Sequence, residues 1–411
     1  MRVLLINAFH YLRGGVERTY LDESRWLAAD GHEVFHFATR NSRNLPSPTA
    51  RYFAPAANYG EGAPAVLQLV QLPRVIWSAP AARALTSLLR EHPPDIAHVH
   101  APSRYLTPSI FEPLVRAGVP VVMTLHDFKP WCTNRIFFAH GAPCERCRGG
   151  KHWHALATAC VQDSVPKSAV GTVEAYAHQA ARAYRSVRMW IAPSRFVEEK
   201  AREHGVPAEA LRLLPHGLER ASPVDDASAP RSSVPSGPSV LFYGRLSVEK
   251  GVRLLPALAM RLAPTPVNVV GEGPLRGLLE RAADTQPNLR LLGHVDDATL
   301  ASLRASASAV VVPSLFYEHF CYAAAEALLD RKPVVASRIG AIPELVEHET
   351  TGLLVPPGDA AALADAVRRA LAEPAAARWA EAGHARVTSV GEPRRHVEGL
   401  MTIYREAINA N

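Results

Sequence analysis

The sequence predicts an α/β protein of two lobes, each a doubly wound parallel sheet, facing each other across a cleft. Three observations predict it. The chain has 411 residues, too many for one ordinary core and suited to two domains of about 200 residues each. Short apolar, β-branched runs alternate with helical stretches through two similar halves. Between the halves, Ala221 to Pro238 is dense in Ser, Pro, Asp and Ala and has no hydrophobic period, as expected of a linker.

In the first half the runs are Val3–Ile6, Val34–Phe37, Ile96–Val99, Val121–Leu125 and Met189–Ala192. Uninterrupted apolar runs of this length suit strands buried on both faces. Between the first two, Val16, Tyr20, Leu27 and Ala28 fall near one helical face, and Gly31 stands where a helix-ending glycine belongs. This is a βαβ unit. The N-terminal domain is assigned to 1–220, the linker to 221–238 and the C-terminal domain to 239–390. Val240–Tyr243, Val267–Val270, Leu289–Leu292, Ala309–Val312, Val334–Ala336 and Leu353–Val355 are the strands of the second lobe. The segment 391–411 holds a last helix, from about Arg395, placed to pack back on the N-terminal domain. Ligands of open parallel sheets sit beyond the carboxyl ends of the strands, so functional residues should follow strands.

Hydrophobic residues make up 48% and charged residues 20%, the balance of a soluble globular protein. Met1 to Asn7 reads as a first buried strand rather than a signal peptide. No run approaches the roughly 18 apolar residues needed to span a bilayer. The expectation is a cytoplasmic protein, compatible with peripheral contact at the inner membrane face. Net charge is +6, with 25 Lys and Arg against 17 Asp and Glu through Pro215 and 20 against 22 after it. The basic excess of the first half suits an anionic membrane surface or acceptor, and equally a solvated arginine-rich face. The basic residues are scattered and accompany no nucleic-acid motif, so no nucleic acid is expected as partner.

Three stretches of the second half carry chemistry. Gly244-Arg245-Leu246-Ser247-Val248-Glu249-Lys250-Gly251 follows the first strand there, and Arg245 and Lys250 can converge on one anion, as a diphosphate leaving group requires. Gly271-Glu272-Gly273-Pro274 ends the next strand in a turn where backbone can approach a ligand closely. Glu318-His319-Phe320-Cys321-Tyr322-Ala323-Ala324-Ala325-Glu326 follows the strand Ala309–Val312. Eight positions on a helix leave two glutamates about 80° out of line, so Glu318 is placed in the loop and Glu326 inside the helix. The helix start between them offers unpaired N–H groups to phosphate oxygens.

Taken in this order, these blocks resemble the donor lobe of retaining glycosyltransferase family 4, together with Gly340-Ala341-Ile342-Pro343-Glu344 and Thr351-Gly352-Leu353-Leu354-Val355-Pro356-Pro357-Gly358-Asp359. The first lobe joins the resemblance through Gly14-Gly15-Val16-Glu17-Arg18, Thr124-Leu125-His126-Asp127 and Pro193-Ser194-Arg195-Phe196. The resemblance implies the GT-B fold and transfer of a sugar, most often from a UDP- or GDP-sugar, with retained anomeric configuration. It implies that Arg245 and Lys250 neutralise the diphosphate and that Glu326 holds the ribose. Glu318, with the backbone N–H groups of Phe320 and Cys321, would bind a sugar hydroxyl. His126 would reach the sugar across the cleft, Gly14-Gly15 would close over the phosphates, and the base would lie near Gly293-His294-Val295. Acceptors implied are a glycan, a lipid-linked sugar or a small molecule.

Two departures stand out: His216-Gly217 where the family often has Asn-Gly, and Cys321 where it often has glycine. No Asp-x-Asp triplet occurs, so the charge of the leaving group is expected to be met by Arg, Lys and a helix dipole without a catalytic metal. A nucleotide-sugar epimerase of the same architecture and a non-catalytic sugar-nucleotide-binding protein are the competing readings.

Cys132, Cys144, Cys147 and Cys160 fall within 128–168, a Gly-, His-, Arg- and aromatic-rich insertion that breaks the strand–helix pattern. The central C-x-x-C offers two thiolates and the outer pair could complete a structural zinc site. Two disulfides or free thiols are the alternatives. His140, His152 and His154 are expected at the surface or facing the acceptor.

Overall fold

The computed structural model describes residues 1–55, 73–219 and 237–410. The linker expected at 221–238 therefore lies almost wholly outside the described residues. Two compact units are formed. Met1–Ala139, Cys144–Gly217 and Pro393–Asn411 make the first, and Leu218–Glu392 with His140–Pro143 the second.

The sheet of the first unit has six parallel strands. Across it they run Glu33–Phe37, Arg2–Ile6, Ile96–Val99, Val121–Thr124, Val187–Ala192 and Leu211–Leu213. Ile96–Val99 and Val121–Thr124 are buried at every position, because helices cover both faces of a doubly wound sheet. The helix Pro393–Asn409 belongs to this unit. Its buried residues, Val397, Leu400, Met401, Tyr404 and Ala407 among them, recur three and four positions apart, one stripe of an amphipathic helix. That stripe packs with Val3, Leu5, Tyr20, Trp26, Ile96 and Met189 in one core. Arg188 Nη1 donates to the carbonyls of Ala407 and Ala410 at 3.0 and 2.7 Å, satisfying acceptors that a helix end leaves open.

The second unit repeats the plan with the strand order Leu289–Gly293, Val267–Val270, Val240–Tyr243, Ala309–Val312, Val334–Ser337, Leu353–Val355. Chain direction across the sheet reverses between Val240–Tyr243 and Ala309–Val312, the switch point where such sheets open a crevice. Side-chain parity separates two cores. Val240, Phe242, Val267, Val269 and Val311 pack on one face, and Leu241, Val270, Val310 and Val312 on the other. Among the described residues no helix is long and apolar enough to cross a membrane.

Candidate active site

In the second unit every expected site residue lies at or beyond the carboxyl end of a strand. The two strands at the switch point supply the central pair. Lys250, on the loop after Val240–Tyr243, places Nζ 2.8 Å from Oε1 of Glu318, on the loop after Ala309–Val312. Ser314 Oγ donates to the same carboxylate oxygen at 2.7 Å. Burial by itself would lower the Lys250 ammonium, but the Glu318 carboxylate beside it raises it. The Lys250 side chain keeps 32% of its surface and Glu318 only 8%, so the cation remains reachable while the anion is fixed. Arg245, on the same loop, is exposed.

Two glycines make this meeting sterically feasible. Gly251 has φ 72°, and a Cβ there would stand 1.8 Å from the Pro313 carbonyl oxygen. Gly340 has φ 57°, and a Cβ would stand 2.5 Å from the Glu318 nitrogen; the Ala341 N–H donates to the Glu318 carbonyl at 2.9 Å. The Gly340-Ala341 turn thus braces the Glu318 backbone. At Gly271 and Gly273, the atoms a Cβ would strike belong to Gly244 and Leu246. These two glycines thus let the turn pack closely on the neighbouring loop that carries Arg245.

The helix Tyr322–Leu329 begins after Glu318 and carries Glu326. Glu326 is paired with Arg304, 3.3 Å away, which also holds Asp330 at 2.7 Å. The Arg304 and Glu326 side chains keep 8% and 12% of their surface. Tyr243 Oη donates to the Ala323 carbonyl at 2.7 Å, and burial, with Glu326 nearby, pushes the Tyr243 hydroxyl well above its usual range. Nothing in the sequence distinguishes Arg304 and Tyr243 from a surface arginine and a strand tyrosine. Cys321 stands just before the helix with φ 68°, a left-handed conformation that costs any residue with a Cβ about 1 kcal/mol or more. Its side chain is buried. Phe320 is buried beside it, and His294 is exposed beyond Leu289–Gly293.

In the first unit, Gly14 and Gly15 open the helix Gly15–Ala29, whose start has no side-chain cap. His126 follows Val121–Thr124 and is half-buried. Its Nε2 lies 3.0 Å from His100 Nδ1, and the ring stacks on His216 at 5.1 Å between centroids. Burial, then His216 and His100, hold the His126 imidazole well below its ordinary value, so it is neutral near pH 7. The departure at His216 therefore places a second ring on His126. His98 and His100 carry a signal visible in the sequence alone, since a His-x-His at a strand end puts both rings on one face.

The four cysteines of the insertion line one cavity together with Asn134, Phe138, Arg146 and His154. All are free thiols, so no disulfide staples them here. Burial raises Cys132 to about 12 and Cys160 to about 11, with Cys147 close enough to add to both. The four-thiol donor set suits zinc, yet the sulfurs are not drawn together: the one group of three His, Cys, Asp or Glu ligand atoms within 4.8 Å of one another among the described residues is Glu23, His98 and His100. His152, expected at the surface or facing the acceptor, is buried instead, with Nδ1 3.4 Å from Thr133 Oγ1. The short helix Trp153–Ala157 packs on Val165–Ala180 and encloses it.

Comparison with known proteins extends these observations. A stretch of 188 residues is 38% identical to glycogen synthase of Mycobacterium tuberculosis, spanning 44% of this chain and 44% of that relative. The chain thus spans less than half the length of that relative. Over its whole length the fold matches sucrose-phosphate synthase from Thermosynechococcus elongatus, covering 99% of that chain with a TM-score of 0.71 at 23% identity. It also matches the Anabaena protein HepE in complex with UDP-glucose, covering 98% of this chain and 99% of that one with a TM-score of 0.68 at 18% identity. These likenesses assign the GT-B fold. The family model for glycosyl transferases group 1 matches residues 237–373, and that for Glycosyltransferase Family 4 matches 13–221, half of the chain. The chain belongs to glycosyltransferase family 4.

Proposed function

We propose that this protein is a retaining glycosyltransferase, moving a hexosyl or related sugar from a UDP- or GDP-sugar to a hydroxyl of a glycan, a lipid-linked sugar or a small molecule. The observation that carries the reading is the Lys250–Glu318 pair, 2.8 Å apart at the switch point of the second sheet. Lys250, Arg245 and the first N–H groups of Tyr322–Leu329 neutralise the leaving diphosphate. Glu318, braced by backbone and Ser314, accepts from a sugar hydroxyl. Glu326, held by Arg304, takes the ribose, and His126 is assigned to the donor sugar. The anomeric C–O bond to phosphate breaks as the bond to the acceptor oxygen forms on the same face, and the acceptor proton passes to the leaving phosphate oxygen. No Asp-x-Asp stands in the sequence, so the step is assigned without a metal. HepE, of the same fold, binds UDP-glucose, which supports a nucleotide-sugar donor.

Thermal unfolding with UDP, GDP, ADP, TDP and their sugars tests this. One nucleotide series should raise Tm, by about 2.7 kcal/mol of added stability at a hundredfold excess over Kd, and Lys250→Ala should abolish the rise. No response to any of them would end the proposal. Turnover of the responding donor should survive EDTA; loss without unfolding would remove the metal-free step. We also assign zinc to Cys132, Cys144, Cys147 and Cys160 as a staple for an insertion with little core. Freshly purified, reduced protein should carry about one equivalent, and Cys144→Ser should lose it; less than about half an equivalent in the wild type would refute the assignment.

A further inference from the structure

We propose that Glu23 is a positioning residue for His126, acting through His100, and that this buried line holds the His126 imidazole in the tautomer with its proton on Nε2 and its lone pair on Nδ1. Only the kinetic consequence rests on the role given to His126 above. Glu23 lies on the helix Gly15–Ala29 and is 1% exposed. An uncompensated carboxylate at that depth is strongly unfavourable, so its neighbours show what compensates it. Oε1 accepts from His396 Nε2 at 2.9 Å. Oε2 lies 3.3 Å from His100 Nε2 and 3.4 Å from His98 Nδ1. Burial alone would raise the Glu23 carboxyl, but His100 and His98, with hydrogen bonds from His100 and His396, hold it well below the usual range.

The protons follow from which partners can only accept. His396 Nδ1 faces the Pro215 carbonyl at 2.8 Å and its Nε2 faces the carboxylate. Both nitrogens must donate, so this ring carries the charge that offsets Glu23. His98 sits between Thr124 Oγ1 at 2.7 Å and Tyr404 Oη at 2.8 Å, and burial, then His100, lowers it to about 3, so it stays neutral. Glu23 Oε2 and His100 Nε2 are both buried and have no other hydrogen-bond partner among the described residues. Their separation is long for a hydrogen bond, but each is the other's route to satisfaction, and an ionised carboxylate only accepts. His100 Nε2 therefore bears the proton and His100 Nδ1 the lone pair. That lone pair faces His126 Nε2 at 3.0 Å, so His126 Nε2 donates. The Tyr20 ring, edge-on to His100 at 5.4 Å, and the stacked His216 close the sides of the line. His126 Nδ1 makes no hydrogen bond among the described residues and keeps a lone pair for a substrate hydroxyl. The opposite tautomer would present an N–H there.

Nitrogen-15 NMR of histidine side chains in the whole protein, with His126 assigned from the signals lost in His126→Asn, reads the tautomer without any ligand. At pH 7 the wild type should show His126 with Nε2 protonated and the other form below about a tenth. In Glu23→Gln the two forms should approach equal populations, with Glu23→Asp between. Hydrolysis of UDP-glucose by Glu23→Gln should fall at least about tenfold while UDP Kd stays within about twofold. A wild type with the proton on His126 Nδ1 would overturn the proposal, and so would a folded Glu23→Gln with the wild-type tautomer. A stoichiometric metal on Glu23, His98 and His100 would do the same, since it would consume the lone pairs. Should Glu23→Gln not fold, His100→Gln must shift the tautomer in the same sense. A shifted tautomer with unchanged UDP-glucose hydrolysis would remove His126 from catalysis and leave its positioning by Glu23 intact.

Discussion

The carboxyl edges of the two sheets share a topology and differ in chemistry. In the second unit an ammonium and a carboxylate meet at 2.8 Å with the ammonium still a third exposed. In the first, a carboxylate and four imidazoles are submerged, and only His126, at the end of the line, is half-open. A permanent cation suits a ligand whose charge is always present. A neutral imidazole in a fixed tautomer, as proposed for His126, suits a hydroxyl, which needs one hydrogen bond of defined direction. On the functional reading proposed above, the same strand-to-loop plan builds a charge clamp in one case and a directional acceptor in the other.

The largest effect that tests this contrast is expected at the clamp. Glu318→Gln keeps the shape and removes the charge that raises Lys250, and should lower donor turnover by about 10²–10³-fold with Tm nearly unchanged; a smaller loss than that of His126→Ala would invert the comparison. His126→Ala should lower transfer by about 10²-fold while nucleotide diphosphate Kd, by titration calorimetry, moves less than about threefold. Equal losses in turnover and binding would make His126 an anchor like the clamp.

Acid should separate the units. His98 and His36 are lowered to about 3, chiefly by burial, against an unfolded value near 6.5. Between these values the unfolded chain binds more protons, so stability falls as pH falls from about 6.5 towards 3, by up to about 1.4 kcal/mol per pH unit for fully buried His98. Glu23 adds a loss below its unfolded value, about 4.5, since its folded carboxyl is depressed. Calorimetry at pH 7 and pH 5 should show the N-terminal transition moving down further than the C-terminal one; equal shifts would contradict the buried-imidazole account. The smallest effect is expected at Cys321. With φ 68° there, Cys321→Gly should be more stable than Cys321→Ala by about 1 kcal/mol, reversing the usual order, and urea melts would show it.

Strands of the second sheet were legible almost to the residue. Val240–Tyr243, Val267–Val270, Ala309–Val312 and Leu353–Val355 stand as expected, because a strand covered on both faces has no room for polar interruption. Glu318 in the loop and Glu326 in the helix were legible from helical geometry. The strand Leu211–Leu213 was missed, since a three-residue edge segment has no period to read. The last helix starts at Pro393 rather than Arg395, as suits a proline in a first turn. The Glu23 network escaped because its members are distant in the chain: His396 lies 373 positions from Glu23, and Tyr404 306 from His98. Local pattern carries no trace of such pairings. His152 was misplaced for the same reason, since what covers it is tertiary.

The helix Pro393–Asn409 has a consequence for biosynthesis. Tyr404 is fully buried in the core shared with Val3 and Leu5, so the amino-terminal half leaves the ribosome lacking its own keystone. The unit translated second needs nothing made after Glu392, whereas the one translated first waits for residues 393–409 to emerge. Translation order and completion order are inverted, and the nascent N-terminal sheet stays bare along that stripe until residues 393–409 follow.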